Sequence, residues 1–218
     1  MLGATAVLMP ACTDGFTDFN TNPFVTPYES GTSTGGELNT TDIAMPDSIS
    51  QEELDRLKEN VSTIGQVFKN FTYQGLVDDY QRSTNLTHDI YAGYFANNNT
   101  GFINNSPNYV YTQSFSARRW DHFYKDRSAE YKTLVNTFYY VDRKAYKNAF
   151  YMTRIYYAFL ASTMTDTYGE MPFGVYVQGK AAPEKCPYNT QEEIYDMIFR
   201  MLTEAADSIQ PGACSFKF

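Results

Sequence analysis

The strongest constraint on the fold is a regular spacing of apolar residues near the end of the sequence, which predicts a long amphipathic helix. Thr190 and Glu193 occupy the two positions of a capping box, which marks a helix start. After them, apolar side chains recur roughly every three or four residues, so they share one helical face: Ile194, Met197, Ile198, Met201, Leu202, Ala205 and Ile209. Pro211 and Gly212 are expected to end this helix.

The same spacing predicts further helices. A second capping box, Ser50 with Glu53, begins a helix that is expected to run to about Tyr80 with a break near Gly75. Helical spacing also covers residues 87–95, 117–141 and 145–165, and the last two segments form a predicted hairpin separated near Val141-Asp142. The sequence contains no strand–helix–strand alternation and no repeat of fixed period. It therefore predicts a mainly α fold of paired helices.

Two long irregular loops interrupt the predicted helices. Residues 96–116 are dense in Asn, and a short strand is predicted at Tyr109–Thr112. The second loop leads from Gly169 and Pro172, which end one helix, to Thr190, which begins the next. Because turn and cap chemistry explains this second loop, residues 166–193 are expected to be structural. The first loop is the better candidate for function.

The N-terminal segment MLGATAVLMPAC predicts a lipid anchor rather than a membrane span. It is shorter than the run of about 20 apolar residues that a spanning helix needs. It is similar to the end of a secretory signal with a lipobox, in which Cys12 is the lipidated residue. The residues after it are polar and rich in Thr, Asn and Gly. We therefore expect a signal-peptide remnant at 1–11, an extended tether at 12–46 and a helical body at 47–218.

Composition excludes several functional classes. The net charge of −8 and the pI of about 4.7 disfavour a nucleic-acid partner. The three Cys and two His show no CxxC or HExxH spacing, so no metal or cofactor site is predicted. Asp and Glu are numerous enough for an acid pair, but no motif surrounds one, and we predict no catalytic residues. A glycoside-processing enzyme and a helical protein-interaction scaffold remain as alternatives to a binding protein.

A resemblance to a known family arises from two motifs. Asp166-Thr167-Tyr168-Gly169-Glu170-Met171-Pro172-Phe173 and Tyr188-Asn189-Thr190-Gln191-Glu192-Glu193 resemble the segment shared by SusD/RagB-type outer-membrane lipoproteins of gut Bacteroidetes. Phe19-Asn20-Thr21-Asn22-Pro23 and Thr26-Pro27 are similar to the N-termini of that family. Members are considerably longer than this chain, so the resemblance implies an incomplete domain that lacks its C-terminal half.

The resemblance also implies a function. Such proteins fold as α superhelices of TPR-like helix pairs and lie on the cell surface, held to the outer membrane by a lipid anchor. They bind glycans or other nutrients without catalysis, as the lid over a SusC-like TonB-dependent transporter. The expected partners are therefore a glycan, that transporter and the membrane.

Candidate ligand-binding residues lie between Asp89 and Trp120, where aromatic side chains alternate with polar ones. Aromatic faces pack on the apolar side of a sugar ring, while amides and charged groups bind its hydroxyls. The predicted site residues are Asp89, Tyr91, Tyr94, Phe95, Asn98, Asn99, Tyr109 and Trp120. The alternative for each aromatic residue is packing in a helical core. For Trp120, which lies near a predicted helix start, the alternative is an anchor for the hairpin.

Overall fold

A computed structural model describes residues 41–76, 80–96, 109, 112–180 and 186–210, and it confirms the mainly α fold. Cys12, Asn98, Asn99 and the predicted tether up to residue 40 lie outside this part of the chain. The α-helices are α1 Gln51–Glu59, α2 Ile64–Gln74, α3 Gln113–His122, α4 Ser128–Tyr140, α5 Lys147–Tyr168, α6 Gly174–Val177 and α7 Gln191–Ser208. None of the described helices is long and apolar enough to cross a membrane.

The first predicted helix is two helices. Ser50 caps α1 as expected, since its hydroxyl accepts a hydrogen bond from the Glu53 N–H at 3.2 Å. A 3₁₀ turn, Val61–Thr63, then separates α1 from α2. Asn60 Nδ2 donates to the Arg56 carbonyl, and the Thr63 hydroxyl donates to the Asn60 carbonyl. Such bonds compete with regular helical pairing, which explains the interruption. The predicted break near Gly75 is present, with Gly75 at φ 54°.

The structure corrects the prediction for residues 87–95. The helical segment there is π-helical and spans Gln81–Asp89, so it begins earlier than predicted and ends before Tyr94 and Phe95. A π-helix is a wider winding that local propensity does not predict, and it is often found at functional sites. Of the predicted strand Tyr109–Thr112, Tyr109 lies in a turn and Thr112 precedes α3, while residues 110–111 lie outside the described part.

The predicted hairpin is formed by a long helical rod and α5. The rod runs from residue 113 to 140, through α3, five π-helical residues Phe123–Arg127 and α4, and so begins four residues before the predicted start at Ala117. It ends at Tyr140, beside the predicted break at Val141-Asp142. α5 then packs against α4. The hairpin prediction is therefore confirmed, with an earlier first residue.

The core lies where α5 contacts α4 and α7. α5 and α7 are antiparallel, because Asn148 near the start of α5 hydrogen-bonds the backbone of Gln210, and Gln191 at the start of α7 donates to the Thr165 carbonyl. Five residues of the predicted α7 stripe are buried: Ile194, Met197, Ile198, Met201 and Ala205. Of the other two, Ile209 is partly buried and follows the last residue of α7, and Leu202 has 38% of its surface exposed. At that position the neighbouring helix does not cover the apolar face.

The loop between α5 and α7 contributes to the core. Gly169 ends α5 at φ 75° and ψ −123°, a conformation that favours glycine. Met171 and Asn189 then form an isolated antiparallel bridge with N···O distances of 3.2 and 3.0 Å. Met171 and Phe173 are fully buried, and the short helix α6, which the sequence did not predict, follows them. Residues 171–179 of this loop are thus packed into the fold, which agrees with the predicted structural role for that part of the loop.

Candidate ligand-binding cleft

A cleft of about 420 Å³ lies where the π-helical segment, α3 and the end of α5 meet. α3 packs directly on the π-helical segment, so residues distant in sequence face one another. The lining mixes aromatic rings with hydroxyls, an imidazole and a guanidinium. Its members are Ser83, Thr87, His88, Tyr91, Thr112, Phe115, Ser116, Arg119, Thr167 and Tyr168. Apolar walls with a few polar groups are the usual composition of a small-molecule site.

The π-helical segment forms one wall of the cleft. Its Ser83 carbonyl accepts a hydrogen bond from the buried guanidinium of Arg119 at 3.1 Å and lies 3.1 Å from His88 Nδ1. With Ser83 O as the acceptor, Nδ1 of His88 carries the proton. The same segment places Thr87 on the cleft, and Tyr91, two residues after its end at Asp89, also lines the cleft. The irregular winding therefore supplies the backbone oxygen that holds Arg119, and the residues directly after it supply Tyr91, the first aromatic ring of the wall.

Arg119 is the cation of the cleft. It is 9% exposed, and its Nη1 donates to the Thr167 hydroxyl at 3.1 Å. Its Nη2 donates to the Ser83 carbonyl and to the Thr84 hydroxyl, at 3.1 and 3.3 Å. Burial lowers the pKa of Arg119 from its ordinary value, with a smaller opposing effect from Tyr168. Even with its pKa lowered in this way, an arginine remains charged near neutral pH. The cleft therefore contains a positive charge held by neutral oxygens.

Tyr91 and Tyr109 form an aromatic pair at the cleft. Their rings stack with centroids 5.3 Å apart, and the Tyr109 hydroxyl donates to the Tyr91 carbonyl at 3.4 Å. Both rings are accessible, with 38% of Tyr91 and 70% of Tyr109 exposed. Tyr109 has a φ of 57°, a left-handed conformation that a bulky residue seldom adopts, and such backbone strain is found preferentially at functional sites.

The remaining predicted site residues have different surroundings. Tyr94 and Phe95 are exposed, at 80% and 55%, but neither lines the cleft. Asp89 also lies off the lining and accepts a hydrogen bond from the Tyr80 hydroxyl at 2.9 Å, which raises the pKa of Tyr80. Of the predicted residues that the structure describes, only Tyr91 lines the cleft, and Tyr109 adjoins it through the stack.

Trp120 is half-buried in an aromatic cluster behind the cleft. Its ring lies 4.7 Å from Tyr124 and 5.3 Å from Tyr168, with Tyr188 stacked at 6.4 Å. The Tyr168 hydroxyl donates to the Ser116 carbonyl at 2.6 Å, which joins the end of α5 to α3. Since Tyr168 lines the cleft and Trp120 does not, Trp120 supports the wall from behind. These contacts favour the anchoring alternative for Trp120.

Sequence reasoning missed Arg119, Phe115 and Tyr168. A signal for Arg119 was available, because Phe115, Arg119 and His122 are spaced by four and three residues and therefore share one face of α3. Arg119 and His122 are both buried. Tyr168 was assigned a structural role with its loop, and its position at the last turn of α5 also places it on the cleft. No local pattern brings these helices together.

Comparison with known families identifies the chain. Over residues 54–216 the sequence matches the profile of a SusD-like family described as starch-binding associating with outer membrane. The chain belongs to this SusD-like family. Comparisons with curated proteins and with solved structures give no match. The matched range begins within α1 and includes the cleft, the aromatic cluster and α7 of the SusD-like chain. The family description supports glycan binding in association with the outer membrane.

Proposed function

We propose that this SusD-like chain is a lipid-anchored protein of the outer cell surface that binds glycans without catalysis. In this proposal it acts with a SusC-like TonB-dependent transporter in the uptake of polysaccharides or oligosaccharides. The observation that supports it most is the accessible Tyr91–Tyr109 pair beside the cleft, in a chain whose family is described as starch-binding. Two stacked, exposed rings offer an apolar face to a sugar, and the nearby hydroxyls and guanidinium offer hydrogen bonds.

Glycan binding is tested by calorimetry of the full chain against a panel of oligosaccharides. We expect Tyr91→Ala and Tyr109→Ala each to weaken binding by about tenfold, which equals about 1.4 kcal/mol. Tyr73→Ala is the matched control, because Tyr73 is 84% exposed and does not line the cleft. Equal losses in all three variants would argue against this site, and binding to no glycan at all would overturn the proposed function.

The lipid anchor on Cys12 is a separate proposal, which the lipobox-like segment before it supports. Metabolic labelling with a palmitate analogue in a Bacteroidetes host is expected to label the full-length protein. The label should disappear in Cys12→Ala and persist in Cys186→Ala, a control that removes another thiol. A label retained in Cys12→Ala would contradict the anchor.

The transporter partnership rests on the family resemblance. Crosslinking in host membranes followed by purification of the full-length protein is expected to recover a SusC-like TonB-dependent transporter. A crosslinked product that contains only other surface proteins would argue for the alternative function, a helical scaffold that binds proteins.

A further inference from the structure

Buried arginines in the described part of this chain follow a consistent pattern, and Arg119 departs from it. Arg154 is 1% exposed, and its Nη1 lies 3.1 Å from a carboxylate oxygen of Glu204. Arg127 is 2% exposed, and its Nη2 lies 3.0 Å from a carboxylate oxygen of Glu130. Both therefore have the ionic partner that a buried charge normally requires.

Arg119 has no such partner among the described residues. Its hydrogen bonds go to two hydroxyls and one carbonyl. Its buried Nε has no acceptor, which is also true of the Nε of Arg154, so the missing carboxylate is the feature that sets Arg119 apart. Three bonds from five N–H groups leave two N–H groups unused, one on Nε and one on Nη1. The nearest carboxylates along the chain have other partners, Lys125 for Asp121 and His122 for Asp126. Asp89 and Asp166, on the two elements that Arg119 contacts, accept hydrogen bonds from tyrosine hydroxyls. Among the buried arginines of the described residues, the one without a carboxylate partner is thus also the one that lines the cleft.

Structural support alone does not explain the missing carboxylate. Arg119 joins α3 to the π-helical segment and to α5, but Arg127 and Arg154 make comparable connections and are still paired with an acid. Arg127 donates to the Asn70 carbonyl, and Arg154 donates to the Ile43 carbonyl. Leaving a buried charge uncompensated costs stability, and such a cost is commonly found where a ligand supplies the balancing charge.

We propose that the cleft binds an acidic saccharide, with its carboxylate or sulfate group placed against the guanidinium of Arg119. A guanidinium forms short, strong hydrogen bonds with either group. The rings of Tyr91 and Tyr168 would pack on the sugar itself. Because the chain as a whole carries a net charge of −8, nonspecific attraction of anions does not account for such binding. This inference rests on the proposed glycan-binding function and adds the class of glycan.

The test compares acidic glycans with their neutral counterparts on the full-length protein. Oligogalacturonate is measured against its methyl ester, and carrageenan oligosaccharides against their desulfated form, with a starch oligosaccharide as a neutral reference. We expect at least one acidic form to bind about tenfold more tightly than its neutral counterpart, with a preference that weakens as salt is added. A preference for oligogalacturonate over its methyl ester would identify the anionic group as a carboxylate. A preference for carrageenan over its desulfated form would identify it as a sulfate.

Variants assign that preference to Arg119. Arg119→Gln is expected to abolish the acid preference, and Arg119→Lys to retain part of it, since lysine keeps the charge but loses the planar fork. Arg82→Gln is the matched control, because Arg82 is exposed on the same π-helical segment and does not line the cleft. If Arg119→Gln fails to fold, an NMR titration of the unmodified protein serves instead, in which the Nε–H resonance of Arg119 is followed as each ligand is added. That resonance should shift with the acidic ligand and stay in place with the neutral form.

The outcomes separate this inference from the proposed function. Equal binding of acidic and neutral forms, with Tyr91 still required, would overturn the acid preference and leave glycan binding intact. An acid preference that survives Arg119→Gln, or that leaves the Nε–H resonance unmoved, would assign the effect to another cation and would also overturn the inference. Binding to none of these saccharides or to the wider panel would overturn both proposals.

Discussion

At the scale of single residues, Asn189 is the clearest example of a side chain that determines local structure. It is 1% exposed, and its Oδ1 accepts hydrogen bonds from the backbone N–H groups of Phe173 and Gly174, at 3.2 and 2.9 Å. Its Nδ2 donates to Glu193 at 3.3 Å. One amide thus satisfies the first N–H groups of α6 and fixes them beside the capping box of α7. The Tyr188-Asn189-Thr190 motif combines this bridge with a helix start.

Asn189→Ala is expected to lower the free energy of unfolding by about 2–4 kcal/mol, because two buried N–H groups would lose their acceptor. Thr190→Ala is the control, since Thr190 is an exposed cap whose loss costs about 1 kcal/mol. Urea denaturation of both variants measures the difference. Equal losses would show that Asn189 acts only through the helix cap and not through the loop.

At the scale of elements, the short helix α6 depends on the helix beside it. The Tyr131 hydroxyl donates to the Val177 carbonyl, and Asn136 Nδ2 donates to the Gly179 carbonyl, both at 3.0 Å. Gly179 has a φ of 65°. A Cβ at this position would collide with the Asn136 amide and lie 3.1 and 3.2 Å from Met45 and Val135. The loop therefore requires glycine here for both its conformation and its close approach to α4.

Gly179→Ala is expected to destabilise the protein by about 2–5 kcal/mol, from unfavourable φ together with overpacking. Gly93→Ala separates the two effects, because Gly93 has a similar φ of 76° and nothing within 4 Å of the added Cβ. The control should lose only about 1–2 kcal/mol. Chemical denaturation gives both values, and a control loss as large as that of Gly179→Ala would mean that packing around Gly179 contributes nothing.

At the scale of the whole molecule, buried tyrosines make the free energy of unfolding depend on pH. Burial raises the pKa of Tyr131 to about 12 and that of Tyr140 to about 12, and it raises the pKa values of Tyr124 and Tyr157 as well. Tyr131 and Tyr157 stack with ring centroids 3.8 Å apart between α4 and α5. The hydroxyls that would have to ionise therefore lie at the packing interfaces of the fold.

The contribution of these tyrosines to the free energy of unfolding is expected to be constant below about pH 10 and to fall between about pH 10 and 12. In that window the unfolded chain releases phenol protons that the folded chain retains, so rising pH favours unfolding, by about 1.4 kcal/mol per pH unit for a fully buried phenol such as Tyr131 and by less for the more exposed Tyr140. Thermal melting across this range measures the fall. Tyr131→Phe should make it shallower, while Tyr73→Phe, at an exposed site, should not. Stability that stays flat through the window would contradict the prediction.

The parts of this structure that the sequence predicted depend on local chemistry. Ser50 and Thr190 begin helices, Gly75 and Gly169 end them, and the apolar stripe of α7 is largely buried, because each effect acts within a few residues. Which rings are exposed was not predictable, since Tyr91 and Trp120 both lie in helical segments and their exposure depends on their neighbours in space. For Arg119, the spacing with Phe115 and His122 indicated a shared helix face but not what that face contacts. The place of Arg119 on the cleft depends on Ser83 and Thr167, which are distant in sequence.

The sequence by itself therefore determined the helical class, the hairpin, the residues that end α5 and begin α7, and the resemblance to the SusD-like family. Cap, turn and periodicity signals act between residues that are close in sequence, so they do not depend on the tertiary fold. Only the tertiary structure decided the π-helical windings, the burial of α6, the position of Trp120 behind the wall and the place of Arg119 on the cleft, where no described carboxylate pairs with it. Those features depend on which helix lies against which, and the free energy of that packing is distributed over residues from the whole chain.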